Sequence, residues 1–177
     1  MDRAAAEAFV AEPRIMLLAT DRGGKEPFLA AIWYEYRDGR FFIWSAAATA
    51  KVTLARRYPA VTLCVQEERM PYKSVIVRGR AEVVPGLDRD LARRLGARYL
   101  GPQVSGPYLS WTESAPDASG VTIVVTPTAW RAADYAEGRQ AEHAPWSPTT
   151  TSAKHGGVIM GSPSKCFAIS FRPRGAV

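Results

Sequence analysis

Histidine and cysteine are scarce in this chain of 177 residues, two of each, and their positions remove several chemistries at once. His143 and His155 both fall in an irregular C-terminal stretch, which argues against a Ser-His-Asp or Cys-His catalytic core. Cys64 lies inside an apolar run and Cys166 near the end. Neither belongs to a C-x-x-C pair, and two cysteines make no disulfide framework, so both read as structural. His143, His155 and Cys166 have no compact zinc-ligand spacing. Neither G-x-x-x-x-G-K-[ST] nor G-x-G-x-x-G occurs, which argues against nucleoside triphosphate use and a Rossmann site. No run approaches the roughly 18 apolar residues of a membrane span, and the first residues, MDRAAAEAFVAEPR, lack a signal peptide's basic start and apolar stretch. The expectation is a cytoplasmic protein with no membrane partner. Lysine-rich tracts are missing too, and arginines are mixed with acids, as in Glu67, Glu68, Arg69 and Asp88, Arg89, Asp90. Nucleic acid is therefore disfavoured as a partner.

What remains is an ordinary globular composition, 47% hydrophobic and 23% charged, with no break before residue 136. A net charge of +6 points to an anionic partner: nucleic acid, an acidic surface, or a phosphorylated cofactor with carboxylate groups. Charge alone does not choose among them.

Element signals run in a clear order. Residues 3–12 are alanine-rich and read as a helix stopped by Pro13. Ile15 to Thr20 is an apolar strand closed by Asp21-Arg22-Gly23-Gly24; a second strand covers Phe28 to Tyr36. Asp38-Gly39 marks a hairpin into a third strand, Arg40 to Ser45, and the three are expected to form a meander. Phe41 and Ile43 alternate with Phe42 and Trp44, so the third strand needs cover on both faces. Ala46 to Tyr58 reads as a helix buried through Val52 and Ala55 and ended by Pro59. Ala60 to Gln66 and Ser74 to Val84 alternate as strands, with Gly79 marking a bulge or a barrel corner. Leu87 to Leu100 is a helix stopped by Gly101-Pro102. Val121 to Thr126 and Trp130 to Tyr135 complete the regular part. Residues 1–136 thus form one domain, mainly β with flanking helices and suited to a partly closed barrel. Residues 137–177 read as an irregular tail with one added strand, Cys166 to Arg172.

Four segments, IMLLAT followed by a Gly-Gly turn and Pro27, AIWYEYRDGRFFIWS, TAKVTLARRYPAVTLCV and PYKSVIVRGRAEVV, resemble in order and spacing the pyridoxamine 5'-phosphate oxidase-like split β-barrel superfamily. The closer likeness is to its flavin/deazaflavin oxidoreductase branch, and it extends to about residue 135. The resemblance implies a homodimeric split β-barrel holding FMN or the deazaflavin coenzyme F420. Its phosphate would sit where the third strand enters the following helix, against Ser45, Thr49 and Lys51. Helix amides and the positive helix end favour an anion there on physical grounds alone. Arg56 and Arg57 match a basic pair before the proline, for further anionic groups. The ring would lie against Ala31, Ile32 and Trp33, and Tyr72 and Lys73 would reach a neighbouring subunit's site. Read without the resemblance, the same cations are ordinary helix-surface charges, and Trp33 and Trp44 are core aromatics.

Two departures bear on the cofactor. Many FMN-using relatives carry Arg-Lys where this chain has Ala50-Lys51, which favours coenzyme F420. Deazaflavin relatives often carry Asn where this chain has Leu54. The sequence therefore points to an oxidoreductase transferring hydride to a small organic substrate, no catalytic acid or base being identifiable. Its rivals are a non-catalytic flavin or haem carrier of the same fold, and a basic barrel binding single-stranded nucleic acid.

Overall fold

The computed structural model describes residues 1–137 and 146–149. Helix α1 (Arg3–Ala11) precedes strands β1 (Met16–Thr20), β2 (Phe28–Ile32), β3 (Glu35–Arg37) and β4 (Arg40–Ala46). Helix α2 (Ala50–Arg57) leads into β5 (Ala60–Glu67) and β6 (Lys73–Pro85). Helix α3 (Arg89–Ser114), β7 (Gly120–Asp134) and the short β8 (Ser147–Pro148) follow. All strands share one antiparallel sheet in the order β2-β1-β5-β6-β7-β4-β3, with β8 also pairing to β7.

This order corrects the expected meander. The strand anticipated from Phe28 to Tyr36 breaks at Trp33 and Tyr34, so that β2 pairs with β1 at one edge while β3 pairs with β4 at the other. Competing interactions cause the break. Tyr34 is buried and its hydroxyl donates to the Val10 carbonyl at 2.8 Å; the Tyr34 amide donates to the Tyr99 hydroxyl at 3.4 Å. Trp33 stacks on Tyr99 with ring centroids 5.2 Å apart. From Ile32 to Glu35 the chain can span only about 11 Å, whereas seven strands laid flat would separate the edges by roughly 29 Å. The sheet must curl until its edges approach, and it is a split barrel for that reason. The Asp38-Gly39 hairpin forms as expected, with φ of 50° and 73°.

The core fills the concave side. Met16 and Leu18, Phe41 and Ile43, Leu63 and Val65, and Ile123 and Val125 are all fully buried there, under Val10 from α1 and Val52 from α2. Three other expectations change. Helix α2 starts at Ala50 and not Ala46, because Ala46 still pairs with Gly120 and the Ala47 amide donates to the Ser119 carbonyl at 2.9 Å. Helix α3 does not end at Leu100: Gly101 adopts φ 67° and ψ 171°, kinks the chain, and the helix resumes to Ser114. The two late strands are one, β7, running through Pro127.

Pro127 is tolerated because it faces Gly79 where the β6–β7 register shifts, the bulge that Gly79 suggested. A Cβ on Gly79 would lie 2.6 Å from Val125 Cγ1 and 2.9 Å from the Thr126 carbonyl oxygen. In the C-terminal stretch, β8 pairs with Ala129 and Trp130, and the Arg78 guanidinium lies 4.1 Å from the Trp146 ring centroid. His143, His155, Cys166 and the strand expected from 166 to 172 lie outside the described residues.

Gly79→Ala should lower stability by about 2–3 kcal/mol in urea unfolding, since backbone and a buried valine must both move. A loss below about 0.5 kcal/mol would show that the close approach is not rigid.

Candidate cofactor site

Helix N-termini in this protein are treated in two ways. In α1 the Asp2 carboxylate accepts from the Ala5 amide at 2.8 Å, and in α3 that of Asp88 accepts from the Leu91 amide at 2.8 Å. Both are standard caps. Thr49 holds the cap position of α2, but its side chain makes no cap bond. Its hydroxyl donates to the Ala46 carbonyl at 3.0 Å and stands 3.0 Å from the buried Ser45 Oγ. The first turn of α2 also contains no acidic residue. The Val52 and Thr53 amides donate to the Thr49 carbonyl at 3.1 and 3.2 Å, so the Ala50 and Lys51 amides and the positive helix end are what an external anion could meet.

Lys51 lies in this turn. It is half-buried, and among the described residues no carboxylate pairs with it. Burial holds its ammonium below the usual lysine range. A half-desolvated cation beside uncapped amides is what an arriving phosphate would satisfy. Ser45 and Thr49 are thus in contact, with Lys51 two residues on in the first turn of α2.

The remaining expected residues are distributed around the sheet. Ala31 and Ile32 end β2, an edge strand that exposes one row of backbone groups. The Trp33 side chain is already engaged, stacked on Tyr99 and 6.0 Å edge-on from Tyr108. Arg56 and Arg57 occupy the last turn of α2, at the opposite end from the free amides, where cations complement the helix dipole. Tyr72 and Lys73 are farther still. Ala60, just after α2, pairs with Arg80, whereas Lys73 pairs with Glu67 at the other end of β5, roughly 25 Å away. Lys73 is joined to Asp134 at 3.0 Å, and that hydrogen bond holds the Asp134 carboxyl below its usual range. Within one subunit Tyr72 and Lys73 are therefore not part of the Lys51 site.

An aromatic layer escaped the sequence reading. The resumed half of α3 carries Tyr108 and Trp111, which continue the stack from Trp33 and Tyr99 to Trp44, 5.5 Å from Trp111. Trp33 and Trp44 are thus rigid members of a layer outside the barrel core. Pro102, suited to a first helical position, was the signal that a new helix starts after Gly101.

No sequence among the curated proteins matches the chain. Solved structures do. A protein named F420 reductase is 30% identical over 70% of this chain and 94% of its own, with a TM-score of 0.59. A conserved hypothetical protein of Mycobacterium tuberculosis is 24% identical, covering 85% of this chain and 95% of its own at a TM-score of 0.62. A FAD-binding protein of Mesorhizobium loti is 23% identical, covering 73% and 92% at 0.55. The last two bear on the fold alone. One sequence profile, that of pyridoxamine 5'-phosphate oxidase, matches residues 3–134. From the split barrel and that match together, the chain belongs to the pyridoxamine 5'-phosphate oxidase family.

Proposed function

We propose that the protein is an oxidoreductase that binds a flavin-type cofactor, coenzyme F420 in preference to FMN, and reduces or oxidises a small organic substrate in the cytoplasm. The observation that carries this reading is the acid-free first turn of α2, without a side-chain cap, beside a half-buried Lys51 that no carboxylate pairs with among the described residues. When bound, the cofactor supplies two-electron hydride chemistry. The chain supplies the rest. The α2 amides and Lys51 hold the phosphate, Thr49 and Ser45 fix the turn, and the β2 edge near Ala31 and Ile32 offers backbone groups to the ring's polar rim. Trp33, locked against Tyr99, gives that edge a stiff apolar end. Ala50, in place of the arginine of many FMN-using relatives, and the likeness to F420 reductase favour the deazaflavin.

The reading includes a homodimer. Register places Ala31, Leu17, Cys64 and Ile76 in one cross-strand row on the convex side, beside Leu29, which is 59% exposed. A second copy covering this row would bring Tyr72 and Lys73 toward the neighbouring cofactor.

Fluorescence titration of the purified protein with F420 and FMN should show micromolar binding, F420 the tighter; failure of both to bind at that level contradicts the reading. Lys51→Ala should weaken binding about tenfold or more. The pH dependence has a definite sign. An anion requires the charged lysine, so affinity should fall as pH rises through the depressed pKa of Lys51, by up to about tenfold per pH unit. Lys51→Arg should move that fall to higher pH, and an unchanged profile would assign it elsewhere. Ile76→Glu should convert the protein to a monomer in sedimentation velocity with its circular dichroism preserved; a wild type already monomeric at micromolar concentration would refute the dimer.

A further inference from the structure

The described surface contains a second anion-friendly feature, separate from the Lys51 turn. Between the end of α2 and the paired strands β6 and β7 lies a groove of about 700 Å³. One wall is apolar, formed by Ala55, Pro59 and Val83. Arg56 enters from α2 and Arg80 from β6, and among the described residues Glu82 is the only acid lining it. Among the described residues neither guanidinium has an ion-pair partner. Several arginines elsewhere are held in ion pairs: Arg3 with Glu7 at 2.8 Å, Arg93 with Asp90 at 2.8 Å, and Arg94 with both Glu35 oxygens at 2.9 and 3.1 Å.

The helix dipole accounts for Arg56 at the last turn of α2. It does not account for Arg80, which is on a strand. Nor does the groove continue the Lys51 site. On α2 the buried pair Val52 and Ala55 separates Lys51 from Arg56, since the helical repeat puts these two on opposite flanks of the buried stripe. The floor is fixed by the bulge, where the Thr128 hydroxyl donates to the Arg78 carbonyl at 3.2 Å.

We infer that this groove is a binding site for a small carboxylate-bearing molecule, its carboxylate held between Arg56 and Arg80, its carbon chain on the Ala55–Pro59–Val83 wall, and a hydroxyl or amine donor meeting Glu82. Planar guanidinium groups suit carboxylates through paired N–H donors. The lone glutamate selects against ligands that are anionic throughout, which would be repelled at one end. The site itself is argued independently of the flavin reading; only the source of the carboxylate rests on it, being either a free substrate or a side chain of the cofactor.

The test is calorimetric titration of the full chain with 4-hydroxybutyrate and with glutarate as probes, in wild type and in Arg80→Gln and Arg56→Gln. Saturable 4-hydroxybutyrate binding is expected below about 10 mM, tighter than glutarate, weakened about tenfold in Arg80→Gln and further at raised salt. F420 or FMN affinity should stay within about twofold of wild type in a free-substrate site. Repeating the titration with the cofactor saturating separates the sources: retained binding assigns the groove to a free substrate, and competitive loss assigns it to the cofactor's own carboxylates. No saturable binding, or binding indifferent to both substitutions, would overturn the inference. Carboxylate binding in a protein that takes no flavin would sustain it while removing the cofactor reading.

Discussion

Four backbone amides at the start of any helix lack partners within it, and how a protein satisfies them is a choice written in side chains. Here α1 and α3 use aspartates, whereas the Thr49 hydroxyl at α2 turns back to Ala46 and Ser45. The cost of leaving a cap unused is about 1 kcal/mol, and the burial of Lys51 adds to it. A bound phosphate would offset both, accepting from the free amides and restoring a counter-charge to the lysine.

Curling of the sheet gives that turn its surroundings. Because Trp33 and Tyr34 are committed to Tyr99 and Val10, the chain leaves one edge and joins the other within two residues. The β2 edge is thereby held open instead of being covered by a following strand, and the aromatic residues of α3 are packed beside it. The edge that could meet a ring is thus a by-product of one topological crossing.

Much of this was legible in the residues. Alternation in β5 and β6 gave the buried faces correctly, Asp38-Gly39 gave its hairpin, and Gly79 announced a bulge. Of the phosphate positions that the resemblance implied, Ser45 and Thr49 touch each other, and Lys51 follows in the same turn. What failed did so for reasons that are not local. The residues 28–36 have uniform strand propensity, and only the distant Tyr99 and Val10 show why pairing stops at Trp33. Pro127 suggested a break in β7, yet a bulge opposite Gly79 accommodates it. Gly101-Pro102 was read as a stop when it is a kink between two helical halves, which hid Tyr108 and Trp111. Arg56 was read as meeting further anionic groups of the cofactor, but its companion Arg80 is 24 residues away in sequence and the groove between them exists only after β5 and β6 pair.

The central claim is that the cofactor's phosphate, and not merely its ring, is held by the first turn of α2. Amide NMR of the full chain, comparing coenzyme F420 with the same deazaflavin lacking its phosphate arm, tests it directly. The account predicts that the Ala50 and Lys51 amide resonances move downfield with F420 and stay in place with the phosphate-free compound. Equal shifts with both ligands, or amides that stay in place while F420 binds, would contradict it.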